Sequence, residues 1–407
     1  MIEEIKDCRS CGAALSSPFL DLGTTPLANS YVKNFGDSEN YYQLAVVYCH
    51  KCHLVQLTHT VQPENLYSEY AYCSSYSSSF LEHTKEFVET IKERLKINTV
   101  LEIASNDGYL LQYFKPYTHI KTLGIEPAKN IAKIANDKGI ATLDKFFNTD
   151  LVSTIVAAFG LSDLIIGNNV LAHVPDINDF VSAVDRCLSP QGWATFEFPY
   201  LPMMVNKLEF DTIYHEHVFY YSVLALNNLF KRHNMQIIDI KFSEIHGGSI
   251  RIFACHKGRW QASSIVSFYE MTERLQGVDT IEYYEDFTNH IYDIKVKLRN
   301  LLESLKWRDK SIAAYGAPAK GNTLLNYCNI GRGTIDFTVD ISPHKQGLLL
   351  PGTQIPIYPR EYLLEHNPDY TLLLPWNFSE EICEQQKDYL AGGGHFIVPV
   401  PEPRIII

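Results

Sequence analysis

The sequence has no uninterrupted apolar stretch near the roughly 18 residues that a membrane-spanning helix needs. It also has no excess of positive charge, because 35 Lys and Arg stand against 47 Asp and Glu and the net charge is -12. Its acidic and polar start, MIEEIKD, does not have the pattern of a secretory signal peptide. We therefore expect a cytoplasmic protein that binds neither membranes nor nucleic acids, although a small anionic ligand would need only a few cations.

Disulfide bonds are not indicated, because the nine cysteines are odd in number and most of them are scattered singly along the chain. The exceptions are two Cys-x-x-Cys pairs, Cys8 with Cys11 and Cys49 with Cys52. Each pair can direct two thiolates at one cation, and two pairs complete the tetrahedral site that zinc prefers. Four thiolates leave no open coordination position, so the predicted zinc is structural. The alternative ligands, which flank the second pair, are His50 and His53.

No internal repeat is present, and the apolar pattern divides the chain into three predicted domains. Residues 1–65 are rich in turns and short strands and have too few apolar residues for a large core. From 66 to 258, apolar strands alternate with amphipathic helices, which predicts a parallel, doubly wound sheet with two more strands at one edge. Residues 259–407 start with a long helical connection and continue with a second alternating pattern. The predicted fold class is α/β, with a small zinc-binding domain followed by two Rossmann-like domains.

The strand-turn-helix segment VLEIASNDGYLL, residues 100–111, is a candidate nucleotide-binding loop. Glu126 ends the next predicted strand, where a carboxylate can accept hydrogen bonds from ribose hydroxyls. The loop lacks GxGxxG, so an adenosine ligand without phosphates, above all S-adenosylmethionine, fits better than a dinucleotide. An ordinary turn followed by a surface glutamate would give the same pattern. The candidate cofactor-binding residues are Glu102, Ala104, Ser105, Asn106, Gly108, Glu126, Pro127, Asn168 and Asn169.

A second candidate loop is AAYGAPAKGNTLLNY, residues 313–327. Two of its glycines surround Lys320 at the start of a predicted helix, where backbone amides and a lysine suit a phosphate. Asp340, at the end of the following strand, could bind a ribose, and Lys345 would add a second cation. A plain turn with a solvated lysine is the alternative.

The stretch DTIYHEHVFYYS, residues 211–222, contains Tyr, His, Glu and His in consecutive positions, 214–217. Four adjacent side chains cannot all point at one centre. The segment can therefore be a polar loop, a metal site built on the two histidines, or part of a catalytic site. Histidine titrates near neutral pH and can act there as a general base.

Taken in order, the four-cysteine domain and the motifs LEIASNDG, GIEP, NNVLAHVPD, YHEH, HGGSIR and YGAPAKG resemble the zinc-containing, S-adenosylmethionine-dependent sugar C-methyltransferases. The similarity runs nearly end to end. It implies a class I methyltransferase domain at 66–258 and a C-terminal domain that helps to bind a sugar nucleotide. It also implies an enzyme of deoxysugar biosynthesis that methylates a TDP- or GDP-linked 4-keto-deoxysugar beside its ketone, at C3.

Methylation of a carbon beside a ketone needs a base, a hydrogen bond to the enolate oxygen, and alignment with the sulfonium methyl group. The family pattern Tyr-x-Glu-His falls on residues 214–217, so the resemblance implies that His217 is the base and that His215 is a bystander. Asn169 would help to complete the pocket. The implied catalytic residues are His217, Tyr214, Glu216, His173 and Tyr72.

The substrate-binding residues that the resemblance implies are more widely separated along the chain. The motif HGGSIR is a predicted turn whose His246 or Arg251 would face the substrate diphosphate, and a purely structural role for it stays open. On the donor side, Ala104 stands where the family usually has glycine, and one added methyl group should be tolerated. The implied substrate-binding residues are Tyr76, His246, Arg251, Lys320, Gly321, Asp340 and Lys345.

Two other functions are compatible with parts of the sequence. The C-terminal domain could bind NAD, which would make the protein an oxidoreductase acting on a sugar nucleotide, but YGAPAKG only approximates the required fingerprint. The zinc-binding domain could be an interaction module, but the acidic charge argues against a nucleic-acid partner. We expect a monomeric enzyme that binds S-adenosylmethionine, structural zinc and a nucleotide-linked ketosugar.

Overall fold

The computed structural model describes residues 2–62, 74–76, 78–243 and 248–406. In chain order the strands are β1 (Ile2–Glu4), β2 (Leu20–Pro26), β3 (Tyr41–Tyr48), β4 (Val55–Leu57), β5 (His59–Val61), β6 (Thr99–Ile103), β7 (Lys121–Ile125), β8 (Thr142–Leu143), β9 (Ser162–Asn168), β10 (Leu188–Pro199), β11 (Phe219–Tyr220), β12 (Met235–Ser243), β13 (Ser249–His256), β14 (Ile312–Tyr315), β15 (Thr338–Asp340), β16 (Ile357–Pro359), β17 (Tyr370–Leu373), β18 (His395–Val398) and β19 (Arg404–Ile406). The helices are α1 (Ser78–Arg94), α2 (Lys129–Asp137), α3 (Thr149–Phe159), α4 (Ile177–Cys187), α5 (Leu201–Asn206), α6 (Val223–Arg232), α7 (Ser264–Leu275), α8 (Glu282–Lys306), α9 (Ala319–Cys328), α10 (Tyr362–His366), α11 (Ser379–Gln385) and α12 (Lys387–Ala391).

The N-terminal part is built on a four-stranded antiparallel sheet in the order β11-β4-β3-β2, beside the separate pair β1-β5. Strands β2, β3 and β4 follow one another along the chain, so their pairing is local. The fourth strand, β11, comes from the middle of the chain, where Phe219 pairs with Gln56 and Tyr220 with Val55. The segment just before β11, residues 213–218, is therefore attached to the N-terminal sheet.

The central sheet has seven strands in the order β12-β13-β10-β9-β6-β7-β8. The strands from β10 to β8 are parallel, whereas β13 and β12 form the expected antiparallel edge. Strands β6 and β9 are buried along almost their whole length, as expected for a sheet covered on both faces. The carboxyl ends of the parallel strands meet at one edge, which is where such sheets bind ligands.

The C-terminal part has a six-stranded sheet in the order β16-β15-β14-β17-β18-β19, in which only β19 is antiparallel to its neighbour. The predicted helical connection is mainly the 25-residue helix α8. Apolar side chains recur every three or four positions along α8 and form one buried stripe. They are Tyr284, Phe287, Ile291, Ile294, Leu298, Leu302 and Leu305.

The zinc-binding part shares its core with both larger parts. One apolar cluster combines Leu20 and Leu44 of the N-terminal sheet with Leu324 of α9. Another combines Cys49 and the nearby apolar residues with the central sheet at Ile103. Among the described residues, no helix has the length and apolar character needed to cross a membrane. The predicted α/β fold class is confirmed.

Candidate active site

A cavity of about 570 Å³ opens at the carboxyl ends of β6, β7 and β9. Its other walls are the loop 209–221, the segment around Asn29 and the start of α9, so all three parts of the chain contribute to it. Mostly apolar walls with a few converging polar groups are typical of small-molecule sites, and the volume is in the usual range.

Glu126 follows β7 and lines the cavity. Its carboxylate accepts the backbone N–H groups of Asn106, at 3.0 Å, and of Ala128, at 2.9 Å. Burial raises the pKa of Glu126, and the two N–H donors oppose part of that rise. Each carboxylate oxygen can accept more than one hydrogen bond, so the group can also bind the two hydroxyls of a ribose.

Backbone geometry brings the loop after β6 to the cavity. Ala104 and Asn106 both line it and both have positive φ angles, 54° and 49°. At the next strand end, Asn168 and Asn169 also line the cavity. The Oδ1 atom of Asn168 is buried and has no hydrogen-bond partner among the described residues. Because buried polar atoms are normally paired, this atom is suited to a donor group of a ligand.

Three of the predicted cofactor-binding residues lie behind the cavity wall and do not line it, whereas Pro127 does. Glu102 is fully buried in β6, and this burial holds its pKa well above the usual range of a carboxyl group. Ser105 is buried against β7, where a Cβ on Gly124 would lie only 2.4 Å from its Oγ. Gly108, with φ 79°, lies close to Ile140. These three residues therefore support the turn after β6 from behind and do not form the cavity surface.

His217 lies in the loop after the short helix Phe210–Thr212, and each ring nitrogen has a partner. Nδ1 lies 2.9 Å from the carbonyl oxygen of Thr212, and Nε2 lies 2.9 Å from the hydroxyl of Tyr214. Since a carbonyl oxygen can only accept, Nδ1 carries the proton of the neutral ring, and the Tyr214 hydroxyl donates to Nε2. His217 and Tyr214 both line the cavity, so a basic nitrogen and a phenol occur together in its wall.

His173 also lines the cavity, with its ring centroid 5.0 Å from that of His217 and the two rings nearly perpendicular. Burial lowers the pKa of His173 to about 3, the neighbouring His217 acts in the same direction, and a hydrogen bond to the backbone of Glu216 opposes both. His173 is therefore uncharged near neutral pH.

Glu216 lines the cavity beside His217. Its Oε1 accepts a hydrogen bond from Nδ2 of Asn29 at 2.6 Å. Burial raises the pKa of Glu216, and the bond from Asn29 acts in the opposite direction. His215 has a different setting, because it does not line the cavity and its Nε2 lies 3.3 Å from the carbonyl oxygen of Tyr42. Burial lowers the pKa of His215 to about 4.

The C-terminal loop contributes Lys320 to the cavity wall, with its Nζ 4.1 Å from the ring centroid of Trp376. Gly321 is buried and does not line the cavity. A Cβ at Gly321 would lie 2.7 Å from the Cβ of Leu374, so this glycine permits close packing of α9 against the loop after β17.

Asp340 and Lys345 support the same loop from behind and do not line the cavity. Asp340 accepts the backbone N–H of Ala317 at 2.7 Å, and Lys345 donates to the carbonyl oxygen of Ala317 at 2.9 Å. Their own charges lie 3.9 Å apart. The two residues therefore brace the turn that precedes Lys320.

Arg251 is also away from the large cavity. It lines a smaller one of about 230 Å³, where its Nη2 lies 2.6 Å from Glu197. His83 approaches the same carboxylate at 2.8 Å, which makes a three-residue cluster around the buried Glu197. Tyr72 and His246 lie outside the described residues, as does the side chain of Tyr76.

Sequence reasoning missed several lining residues. Lys145 and Phe147 follow β8, so the rule that ligand-binding residues follow strand ends could have found them. Glu209 lies shortly before the His-containing loop, and burial raises its pKa to about 7 against the opposing charge of Lys320. No local signal points to Asn29. The lining residues missed by sequence reasoning include Asn29, Phe80, Tyr109, Lys145, Phe147, Glu209, Tyr220 and Asn377.

The four cysteines of the two Cys-x-x-Cys pairs meet at a separate site, with their sulfur atoms all within 4.8 Å of one another. The Sγ atoms of Cys8 and Cys52 are 3.5 Å apart, and those of Cys11 and Cys49 are 3.6 Å apart. Tetrahedral zinc with bonds of about 2.3 Å needs sulfurs about 3.8 Å apart, so the set fits zinc. Of the residues that the structure describes, no others form such a cluster of three or more metal-binding side chains.

Comparison with known proteins identifies the family of the chain. Three family models match consecutive stretches: a zinc binding domain at 8–67, a methyltransferase domain at 75–240 and a C-methyltransferase C-terminal domain at 244–401. The fold and its site thus define an S-adenosylmethionine-dependent methyltransferase with a four-cysteine zinc-binding domain. C-methyltransferase NovU of Streptomyces niveus is 35% identical to the chain over 416 residues, covering 100% of this chain and 98% of NovU. The chain belongs to the C-methyltransferase family.

Solved structures show more distant similarity. An S-adenosylmethionine-dependent methyltransferase from Clostridium acetobutylicum ATCC 824 has 14% identity and a TM-score of 0.36, covering 44% of this chain and 92% of its own. Magnesium protoporphyrin IX methyltransferase from Synechocystis PCC 6803, with bound S-adenosylmethionine, has 10% identity and a TM-score of 0.32, covering 44% and 79%. Similarity at this level says nothing further about this chain.

The two predicted cofactors, S-adenosylmethionine and zinc, are confirmed by the family models and by the four clustered cysteines. Membership of the family leaves no support for the oxidoreductase or the interaction module as the main function.

Proposed function

We propose that this C-methyltransferase methylates a nucleotide-diphosphate-linked 4-keto-deoxysugar at C3, the carbon beside the ketone, as a step of deoxysugar biosynthesis. The observation that carries the proposal is the His217 imidazole in the wall of the cavity, hydrogen-bonded to Thr212 and Tyr214. A C-methyltransferase must turn a C–H bond into a nucleophile. A positioned base can do so when the carbon lies beside a carbonyl group.

His217 is the stronger candidate for this base because of its partners. Nδ1 donates to the Thr212 carbonyl oxygen, which stabilises the ring when Nε2 takes up a proton. His173 is 5.0 Å away, but burial lowers its pKa to about 3, and a nitrogen of such low basicity is a poor acceptor for a weakly acidic proton. In the proposed reaction, the Tyr214 hydroxyl turns from Nε2 of His217 to the ketone oxygen of the sugar, and the freed Nε2 removes the proton from C3.

Tyr214 supports the second requirement, a donor for the oxygen that becomes negative. Its hydroxyl lies 2.9 Å from Nε2 of His217, so donor and base are adjacent. When the C–H electrons move into the enolate, the hydroxyl can hydrogen-bond the enolate oxygen and lower the barrier electrostatically. Glu216 would accept a hydrogen bond from a sugar hydroxyl and thereby orient the ring beside the base.

The donor would lie at the strand ends on the other side of the cavity. Glu126 would accept hydrogen bonds from the ribose hydroxyls, and Asn168 would receive a donor group of the methionyl part at its unpaired Oδ1. Ala104 and Asn106 would form the turn under the ligand. S-adenosylmethionine supplies the electrophilic methyl group that the enolate carbon accepts.

Lys320 supports the binding of a diphosphate. It is a cation that the C-terminal part contributes to the cavity wall, and its Nζ lies over the ring of Trp376. A lysine at the start of α9, close to the free N–H groups of a helix N-terminus, suits a phosphate oxygen. Asp340 and Lys345 would act indirectly, by bracing the turn at Ala317.

The role of His217 can be tested by His217→Asn. The variant should still bind S-adenosylmethionine and the sugar nucleotide, but turnover should fall by about two to four orders of magnitude, the usual contribution of a positioned base. Exchange of the C3 proton with solvent deuterium, followed by mass spectrometry, should also stop, because exchange requires only enolisation.

The matched control is His215→Asn, two positions earlier and outside the cavity, which should change the exchange rate little. Exchange at the wild-type rate in His217→Asn would mean that another group is the base. The substrate class is tested separately, by incubating the wild type with labelled S-adenosylmethionine and a panel of TDP- and GDP-linked 4-ketosugars. Absence of labelled product from the whole panel would reject the sugar-nucleotide proposal.

A further inference from the structure

Asn29 belongs to the zinc-binding part of the chain but lines the same cavity as His217. Its Nδ2 donates to Oε1 of Glu216 at 2.6 Å, although the two residues are 187 positions apart in the sequence. No other side chain of the zinc-binding part lines the cavity among the described residues. The contact is therefore a direct connection between the zinc-binding part and the proposed catalytic loop.

The segment that carries Asn29 is held in place by the C-terminal part. The carbonyl oxygen of Ala28 accepts a hydrogen bond from Nδ2 of Asn322 at 2.6 Å. On the other side, the hydroxyl of Tyr31 donates to the carbonyl oxygen of Ala317 at 2.6 Å. Because Ala28 and Tyr31 are both held, the amide of Asn29 is oriented before any ligand binds, which is the requirement for a group that positions another.

Glu216 needs such a partner because only 7% of it is exposed to solvent. A buried carboxylate tends to take up a proton, and then it donates a hydrogen bond instead of accepting one. The N–H group of Asn29 favours the ionised form and also fixes the direction of Oε1.

We propose that Asn29 is a positioning residue for methyl transfer, which holds the Glu216 carboxylate ionised and oriented to accept a hydrogen bond from a substrate hydroxyl. The inference rests on the proposed function only for the identity of that hydroxyl.

Other groups around Glu216 can also titrate, but replacing Asn29 by alanine leaves all of their charges in place. They come from the zinc-binding part, the loop after β9, the catalytic loop and the far wall of the cavity. These groups are Tyr31, His173, Tyr214, His217, Glu209 and Lys320.

The first test measures stability and needs no activity. Asn29→Ala should destabilise the protein more at pH 8 than at pH 5, because the lost N–H group binds the ionised carboxylate. Because a charge-assisted hydrogen bond is lost, the change that Asn29→Ala makes in the unfolding equilibrium constant should be roughly tenfold larger at pH 8 than at pH 5. In a Glu216→Gln background the effect of Asn29→Ala should be the same at both pH values. An equal pH dependence in the two backgrounds would overturn the proposal.

The second test is a double-mutant cycle on kcat/KM for methyl transfer. Asn29→Ala should lower kcat/KM about tenfold in the wild-type background and less than about twofold in Glu216→Gln, because the ionised carboxylate that Asn29 stabilises is then absent. Equal losses in both backgrounds would show that Asn29 does not act through Glu216.

Ser30→Ala, in the same exposed segment, is the matched control and should change neither the stability nor kcat/KM. If the wild type methylated no ketosugar, the proposed function would fail, whereas the unfolding comparison would still decide the role of Asn29.

Discussion

At the scale of single residues, backbone conformation explains a departure from the family pattern. Ala104 has a φ of 54°, a left-handed conformation that costs an L-residue other than glycine roughly 1–2 kcal/mol. The sequence alone predicts that alanine is tolerated where the family usually has glycine. The structure gives the reason for the usual choice, since the turn between β6 and Asn106 needs a positive φ at this position.

We predict that Ala104→Gly leaves the free energy of unfolding unchanged or raises it by up to about 1 kcal/mol, because relief of the left-handed strain offsets the greater freedom of glycine in the unfolded chain. Urea unfolding of the ligand-free protein measures this. The same replacement at Ala135, inside α2, should lower stability by about 1 kcal/mol or more. Equal losses at the two positions would contradict the assignment of strain to Ala104.

At the scale of elements, the sequence predicts the order of strands and helices along the chain. It does not predict which distant side chains cap the ends of the helices. Helix α6 begins directly after the loop 209–221, and Ser222 caps it by accepting the N–H of Ala225 at 3.1 Å. The first two N–H groups of this helix, at Val223 and Leu224, have no acceptor within the helix. They donate to the carboxylate of Glu273 at 2.6 and 2.8 Å. Glu273 lies on α7, so no local pattern near residue 222 predicts this second cap.

We predict that Glu273→Ala lowers the free energy of unfolding by about 3 kcal/mol, because it leaves two helix N–H groups and the hydroxyl of Tyr200 buried without an acceptor. Chemical denaturation at pH 7 measures the change. Glu270→Ala on the same helix is the control, since Glu270 accepts one bond, from Asn227, and the loss should be about 1 kcal/mol or less. Similar losses in the two variants would show that the cap at α6 contributes little.

At the scale of the whole molecule, the four-cysteine site and the loop that contains His217 are connected through one sheet. Cys49 and Cys52 lie in the turn between β3 and β4, and β11 joins the same sheet shortly after His217. The cavity wall around Glu126 and Asn168 belongs to the separate central sheet. Loss of zinc should therefore disturb the loop around His217 more than the proposed donor site.

We predict about one zinc per chain, and that Cys49→Ser lowers both the zinc content and the yield of folded protein, because a four-thiolate site stabilises a part with little core of its own. Elemental analysis and circular dichroism measure these effects.

Chelation of zinc from the wild type should reduce methyl transfer more than S-adenosylmethionine binding, and added zinc should restore both. Cys383→Ser, outside the cluster, should leave the zinc content unchanged. Protein purified without chelator that contained no zinc would contradict the prediction.

The sequence by itself determined the features that depend on neighbours along the chain. Apolar periodicity defines the strands and their order, Cys-x-x-Cys spacing defines two halves of a zinc site, and strand ends point to Glu126 and Lys320 as cavity residues. Tertiary structure alone decided which distant segments meet. It pairs Asn29 with Glu216, joins β11 to the N-terminal sheet and directs Arg251 to Glu197 instead of the large cavity. The physical reason is that such contacts depend on packing between segments separated by many residues, which no local spacing of residue types encodes.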